Sequence, residues 1–245
     1  MSGHSKWSTI KRKKDVADQK RGKIFTSIIK EITVAARDGG GDESGNSRLR
    51  QAISKAKSAN MPQDNITRAI KKGTGELPGV NYEEAMFEGY GPGGVAILVE
   101  VLTDNRKRTV AEIRHLMTKH GGHLGENGSV AWMFEKKGQI VLNKTGGEED
   151  NLINLAIDAG AEDFESVEDE LIITTEPNNF LQLKDAFINQ GNEIKMADIE
   201  MIPKNLQKIK GKDVDNAIQL LEELENHDDI TNVYTNLDAD IVPAD

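Results

Sequence analysis

The side chains best placed to do chemistry in this sequence are cations at regular spacing. Residues 6–30 carry Lys6, Lys11, Arg12, Lys13, Lys14, Lys20, Arg21, Lys23 and Lys30, opposed only by Asp15 and Asp18. Farther along, Arg48 precedes Lys55 by seven residues, and Arg50 precedes Lys57 by seven. On a helix that interval returns to nearly the same side, so each pair forms a cationic rail. Arg68, Lys71 and Lys72 follow, and then the run Arg106-Lys107-Arg108. Such groups neutralise phosphates and release their counter-ions; they do not make or break bonds. Trp7, beside Lys6, can stack on an unpaired base or pack on neighbouring helices. A charge run can equally be a solvated face that keeps a protein soluble.

The distribution of charge favours the phosphate reading. The first 75 residues hold 17 of the 31 Lys and Arg but only 7 of the 41 Asp and Glu. That part is positive by about 10 charges and the remainder negative by about 20, so the net charge of −10 conceals a dipolar chain. A polyanion is drawn to the first part and repelled by the second.

Other chemistries find little support. The chain has no cysteine, which removes disulfides, thiolate zinc sites and cysteine nucleophiles and fits a reducing interior. No apolar run reaches the roughly 20 residues that span a bilayer. The basic start lacks the apolar stretch of a secretory signal, so the expectation is a cytoplasmic protein that does not contact membrane. Gly89-x-Gly91-x-x-Gly94 has the letters of a dinucleotide fingerprint but precedes a strand, where no helix N-terminus meets a pyrophosphate. It reads as a tight turn, and no cofactor is expected. His115, His120, His123 and Glu126 fit no zinc spacing and read as surface groups. No G-x-S-x-G, H-E-x-x-H or P-loop occurs, so the chain is not expected to be an enzyme.

The elements that must position the cations follow from periodicity. Phe25, Ile28, Ile29, Ile32, Ala35 and Ala36 recur at helical spacing, and Gly39-Gly40-Gly41 stops that helix. A second helix is capped by Asn46 or Ser47 and runs to about Ala59, with Leu49, Ala52, Ile53 and Ala56 inward. A third follows Pro62, with Ile66, Ala69 and Ile70 inward and Gly73 as the residue after its end. Beyond Gly79 the pattern becomes mixed. Tyr82–Tyr90 and Val95–Leu102 read as strands, Thr109–His120 as a helix and Ser129–Phe134 as a strand. The basic run 106–108 then falls in a loop, or in a helix start capped by Asp104 or Asn105. Residues 138–203 read β-α-β-β-α-β, the split βαβ signature, with a last strand at Ile199–Ile202. A helix, Asp213–Asn226, and a strand, Ile230–Thr235, then return to complete the earlier sheet. The expected class is α+β: a helical bundle (residues 1–80), a discontinuous ferredoxin-like domain (81–134 and 207–245), and a ferredoxin-like domain inserted into it (135–206).

Several segments carry a resemblance. Gly3-His4-Ser5-Lys6-Trp7, Arg21-Gly22-Lys23-Ile24-Phe25, Ala56-Lys57-Ser58-Ala59-Asn60-Met61-Pro62, Ala69-Ile70-Lys71-Lys72-Gly73, Glu88-Gly89-Tyr90-Gly91-Pro92-Gly93-Gly94 and Leu102-Thr103-Asp104-Asn105 together resemble the YebC/PmpR family. That family is related to a mitochondrial translational activator. Asp42-Glu43 stands where the family has Asp-Pro. The resemblance implies three domains with the third inserted, no cofactor, and a non-enzymatic, cytoplasmic regulator of transcription that binds DNA. Some members look instead like ribosome-associated translation factors, which would place the same basic surface on ribosomal RNA.

Overall fold

The structure, a computed structural model, describes residues 21–144 and 149–238. It is α+β, with two four-stranded antiparallel sheets and one short parallel pair of strands. Residues 132–206 form one compact unit, and the described residues on either side of them form the other.

The second of these units begins with three helices: α1 (Arg21–Gly39), α2 (Ser47–Ser58) and α3 (Gln63–Gly73). Ile32, Leu49 and Ile66 are each at most 1% exposed and meet in one core. Burying a side chain of this size contributes about 1.5–3 kcal/mol. Asn46 caps α2, its Oδ1 accepting from Leu49 N at 3.0 Å while its Nδ2 donates to Ala35 O at 2.7 Å. Gly73 is not the residue after the α3 end but the last one inside it. A Cβ there would lie 2.4 Å from Thr33 O on α1, so glycine is required by close helix packing. The left-handed position belongs to Gly75, at φ +82°.

The same unit contains β1 (Glu83–Tyr90), β2 (Ala96–Thr103), α4 (Arg106–Lys119) and β3 (His123–Leu124). After the insertion come β8 (Gln207–Lys208), α7 (Lys212–Glu225), β9 (Ile230–Thr235) and β10 (Leu237–Asp238). The main sheet has the order β3-β1-β2-β9, and β9 pairs with β2 across more than a hundred residues, from Ile97↔Thr235 to Val101↔Ile230. Its core joins Ile97, Val99 and Ile113 to Leu220, Leu221 and Val233. In chain order this sheet starts with a hairpin and only then adds its crossover helix, so it lacks the β-α-β-β-α-β sequence of a split βαβ. Of the expected strand at Ser129–Phe134 only Phe134 is in a strand, and Ala131–Met133 form a short 3-10 turn instead. Glu88 explains why: its carboxylate accepts from Gly128 N, Val130 N and Ala131 N at 2.6–2.7 Å, which withdraws those donors from any ladder. The three bonds outweigh the effect of burial and hold the Glu88 carboxyl below its usual range.

The inserted unit has β4 (Phe134–Asn143), α5 (Glu149–Asp158), β5 (Asp163–Val167), β6 (Glu170–Thr175), α6 (Phe180–Asn189) and β7 (Ile194–Pro203). Its sheet order is β5-β6-β4-β7, antiparallel throughout. Ile140, Leu142, Leu171 and Ile173 pack against Leu152, Leu183 and Phe187 of the two helices. Strands β4 and β7 are each ten residues long, well beyond the short apolar runs that mark them in the sequence.

Candidate nucleic-acid interface

Lys6, Trp7, Lys11, Arg12, Lys13, Lys14 and Lys20 lie outside the described residues, and Arg21 is the first residue of α1. Lys23 is half-buried on α1. On α2, Arg50, Lys55 and Lys57 are exposed, as are Arg68, Lys71 and Lys72 on α3. These outward cations stand opposite the buried seam of Leu49, Ala52, Ile53 and Ala56 and that of Ile66 and Ala69.

Arg48 departs from the expected rail. Its Nε donates to Glu31 Oε1 at 2.8 Å, and its guanidinium also pairs with Asp38 and with Glu84 of β1. Three carboxylates around one guanidinium make it a tie within the unit, and the pairing with Glu31 and Glu84 raises its pKa despite partial burial.

The basic run at 106–108 forms the first turn of α4. Asn105 caps the helix, its Oδ1 accepting from Arg108 N at 3.1 Å. Arg106 is exposed, its guanidinium 5.6 Å from the centre of the Phe87 ring, and Lys107 is exposed beside it. Arg108 turns back instead: Nη2 donates to Asp229 Oδ2 at 2.7 Å and to Asp104 Oδ1 at 2.8 Å.

Asp229 gathers this corner. It is 6% exposed, and Oδ1 accepts from Lys30 Nζ at 2.8 Å. Its Oδ2 accepts from Thr109 Oγ1 at 2.8 Å and Thr103 Oγ1 at 3.0 Å as well as from Arg108. Lys30 Nζ also donates to Leu102 O at 3.1 Å and Asp228 O at 2.9 Å, so each of its three protons has an acceptor. Burial alone would raise the Asp229 carboxyl, but the bonds from Lys30, Arg108 and Thr109 prevail and hold it far below its usual range. Lys30, one of the cations of the basic N-terminal run, thus fastens α1 to β2 and to the turn before β9.

Glu112, His227 and Asp229 bring three potential ligand atoms within 4.8 Å of one another. His227 Nδ1 accepts from Asp229 N at 3.1 Å, which leaves Nε2 to donate to Glu112 Oε2 at 2.8 Å. With Lys30 and Arg108 already on Asp229, the donors of this corner are satisfied by protons. The histidines suggested by the sequence are not gathered: His120 Nε2 is 3.2 Å from Glu223, whereas the His123 ring sits 5.5 Å from that of Tyr90.

The TACO1/YebC protein N-terminal domain matches residues 5–76, and the TACO1/YebC second and third domain matches residues 82–237. The chain belongs to the TACO1/YebC family. One YebC-family relative, a "Probable transcriptional regulatory protein" of Syntrophus aciditrophicus, is 58% identical over 239 residues, covering 97% of this chain and 96% of its own. Another of that name, from Desulfotalea psychrophila, is 58% identical over 241 residues, covering 98% and 96%. The crystal structure of a conserved hypothetical protein from Aquifex aeolicus superimposes with a TM-score of 0.84 at 44% identity, covering 93% of this chain and 94% of that one. The YebC resemblance seen in Leu102–Asn105 now has a physical content. Thr103 bonds Asp229 and Asn105 caps α4, so this motif builds the corner that aims Arg106 and Lys107. Sequence reasoning missed Asp229 and Lys30 as partners because they stand 199 residues apart and no spacing rule links them.

Proposed function

We propose that this YebC-family chain is a non-enzymatic regulator of gene expression that binds nucleic acid, in the first instance DNA, through its basic N-terminal region. The relatives named as probable transcriptional regulatory proteins support a regulatory role. The observation that carries the binding is the state of two helix starts. The first turns of α2 and α4 hold Arg48 and Arg50, and Arg106, Lys107 and Arg108, without a single acid. The N-terminus of a helix carries partial positive charge, so each cation there costs about 0.3–1 kcal/mol. A phosphate at such a turn meets both the free N–H groups and the cationic side chains. Arg50, Lys55, Lys57, Arg68, Lys71, Lys72, Arg106 and Lys107 are the contacts assigned here, with the arm of Lys6, Trp7, Lys11, Arg12, Lys13, Lys14, Lys20, Arg21 and Lys23 continuing them. Arg48 and Arg108 serve as ties that orient neighbouring cations. No base-reading helix is assigned, so the contacts supply affinity with little sequence discrimination. In the same reading the chain has three modules, residues 1–80, 81–134 with 207–245, and the inserted ferredoxin-like 135–206.

The test is a salt titration of binding to a labelled DNA duplex. With six phosphates neutralised, log K falls against log salt with a slope of about −5. A slope near zero removes phosphate-driven binding. The same titration on ribosomal RNA decides between the two polyanions.

A further inference from the structure

The connection between α3 and β1 borders a small cavity that the phosphate contacts above leave unused. Its volume is about 230 Å3. Clefts for drug-sized ligands and cofactors run from about 300 to 1,000 Å3, so this one suits a single ring system. Buried Val34 of α1 lines it, and Leu77 and Val80 of the connection add apolar walls although they are 38% and 51% exposed. Arg37, Lys72 and Tyr82 are also part of the lining.

The connection is fixed where it touches the helices. Leu77 N donates to Lys71 O at 3.0 Å. Arg37 Nη1 donates to Asn81 Oδ1 at 3.0 Å and to Tyr82 O, and its Nε donates to Asp38 Oδ1 at 2.7 Å. Arg37 is therefore committed to holding the frame. A Cβ on Gly79 would lie 3.2 Å from Lys72 Cβ, so the chain passes close over the Lys72 stem. Lys30 Nζ lies 5.6 Å from the centre of the Tyr82 ring, which links this wall to the Asp229 corner.

Within that frame polar groups stand unused. Among the described residues, the N–H groups of Gly79, Val80 and Asn81 donate to no backbone carbonyl, and Asn81 Nδ2 and Tyr82 Oη make no hydrogen bond. Burial, with the charges of Asp104 and Asp229, raises the Tyr82 phenol, which keeps Oη a proton donor. Lys72 is exposed and makes no ion pair among the described residues.

The occupant must be one flat ring system with hydrogen-bonding edges. An anion inside the cavity is opposed by the negative end of the α3 dipole, whereas the Lys72 ammonium favours one beside it. A nucleobase attached to its phosphate meets both demands. We propose that this cavity takes one unpaired nucleobase from the strand whose phosphates meet Lys71 and Lys72, with the ring against Val34, Leu77 and Val80 and its edge toward Asn81 and Tyr82. The inference rests on the function proposed above and adds to it a preference for an unpaired base. A base already outside the stack enters without the cost of extrusion, so bulged strands are favoured.

The test compares a perfect duplex with one carrying a single bulged base, in DNA and in RNA. The native chain binds the bulged form of at least one of them about tenfold more tightly. The variant Leu77→Ser, Val80→Ser, which changes two exposed walls and no cation, binds both forms alike and the perfect duplex as the native chain does. A bulged 5-iodouracil, irradiated in the native complex, cross-links within residues 77–82. Equal native affinities for bulged and perfect forms in both DNA and RNA, a preference that survives in the variant, or cross-links only elsewhere overturn the pocket. If no duplex binds, the functional reading falls, and a nucleoside monophosphate at millimolar concentration then decides the pocket by NMR. Shifts centred on Val34, Leu77, Val80 and Tyr82 uphold it, and their absence overturns it.

Discussion

Helix starts differ between the basic and acidic parts of this chain. In the acidic part, α5 opens with Glu149 and Asp150, and α7 opens with Asp213 and Asp215. These carboxylates offset the positive end of the helix dipole. In the basic part α2, and beyond it the isolated basic turn of α4, open with arginines and a lysine and no acid. The third helix obeys the rule, with Asp64 in its first turn and Lys71 and Lys72 in its last. The first turn of α1, Arg21-Gly22-Lys23-Ile24, likewise holds cations and no acid, and that of α6 holds no charged residue, so the acid-first pattern is confined to α3, α5 and α7. Of the cations that open α2 and α4, Arg48 and Arg108 are tied to carboxylates of the protein itself, while Arg50, Arg106 and Lys107 are exposed, as the proposed phosphate contacts require.

Four experiments break or sharpen that contrast. The largest effect is expected from reversing cations of the basic part. The variant Arg50→Glu, Lys57→Glu, Arg68→Glu, Lys71→Glu should lose roughly a thousandfold in DNA affinity at low salt and about 3.6 from its salt slope. Reversing the exposed Lys136 of the acidic unit should leave both unchanged. Equal losses from the two variants, measured by fluorescence anisotropy, would erase the contrast.

Next comes the tie behind the basic corner. Asp229→Asn leaves Lys30 buried without its counter-charge and should cost about 3 kcal/mol in urea unfolding. A loss no larger than that of an exposed pair, ~0.5 kcal/mol, would demote the corner to an ordinary surface contact.

The third concerns pH. Asp229 and Glu88 are held in the charged form by the fold, so their carboxyls titrate lower in the folded than in the unfolded chain. Their contribution is complete above the ordinary carboxylate range near 4 and is lost as pH falls through and below it. Stability should therefore drop between about pH 4 and 2, less steeply in Asp229→Asn. A flat profile for the native protein in that window would contradict the depressed carboxyls.

The smallest effect is the sharpest. Lys107→Glu puts an acid where the α4 dipole favours one and should stabilise the protein by about 0.5 kcal/mol. It should weaken DNA binding about tenfold at the same time. Stability and binding moving in the same direction would show that Lys107 serves the fold.

Much of the architecture was legible because periodicity reports burial. Ile230–Thr235 is rich in β-branched and aromatic residues and forms β9 at those bounds, although Ile230 and Val233 are buried three apart across a register shift opposite Glu100 and Val101. The helices of the bundle follow from their apolar stripes. Illegible were the features set by distant groups. The Glu88 carboxylate turns Val130 and Ala131 away from the strand their sequence suggests. Strand β7 extends back to Ile194 through Lys195 and Asp198, polar residues that a period-two reading rejects. Gly73 looks like a helix stop and is a packing contact, because a Cβ there would meet Thr33 O on α1, forty residues earlier. For the site, exposure of the cations on α2 and α3 could be read from the stripes they flank. That Arg48 and Arg108 turn inward depends on Glu84 and Asp229, which local spacing cannot reach.

The pairing of β9 with β2 sets an order on biosynthesis. The nascent chain exposes α1 and its Lys30 early, finishes all four strands of the inserted sheet next, and delivers Asp229 only near its end. Until then one long edge of β2 stays open and the buried ammonium has no counter-ion. A translation stop or truncation shortly before Asp228 would thus yield a product with a mature insert but an unlatched basic bundle, a species for chaperones and proteases to sort.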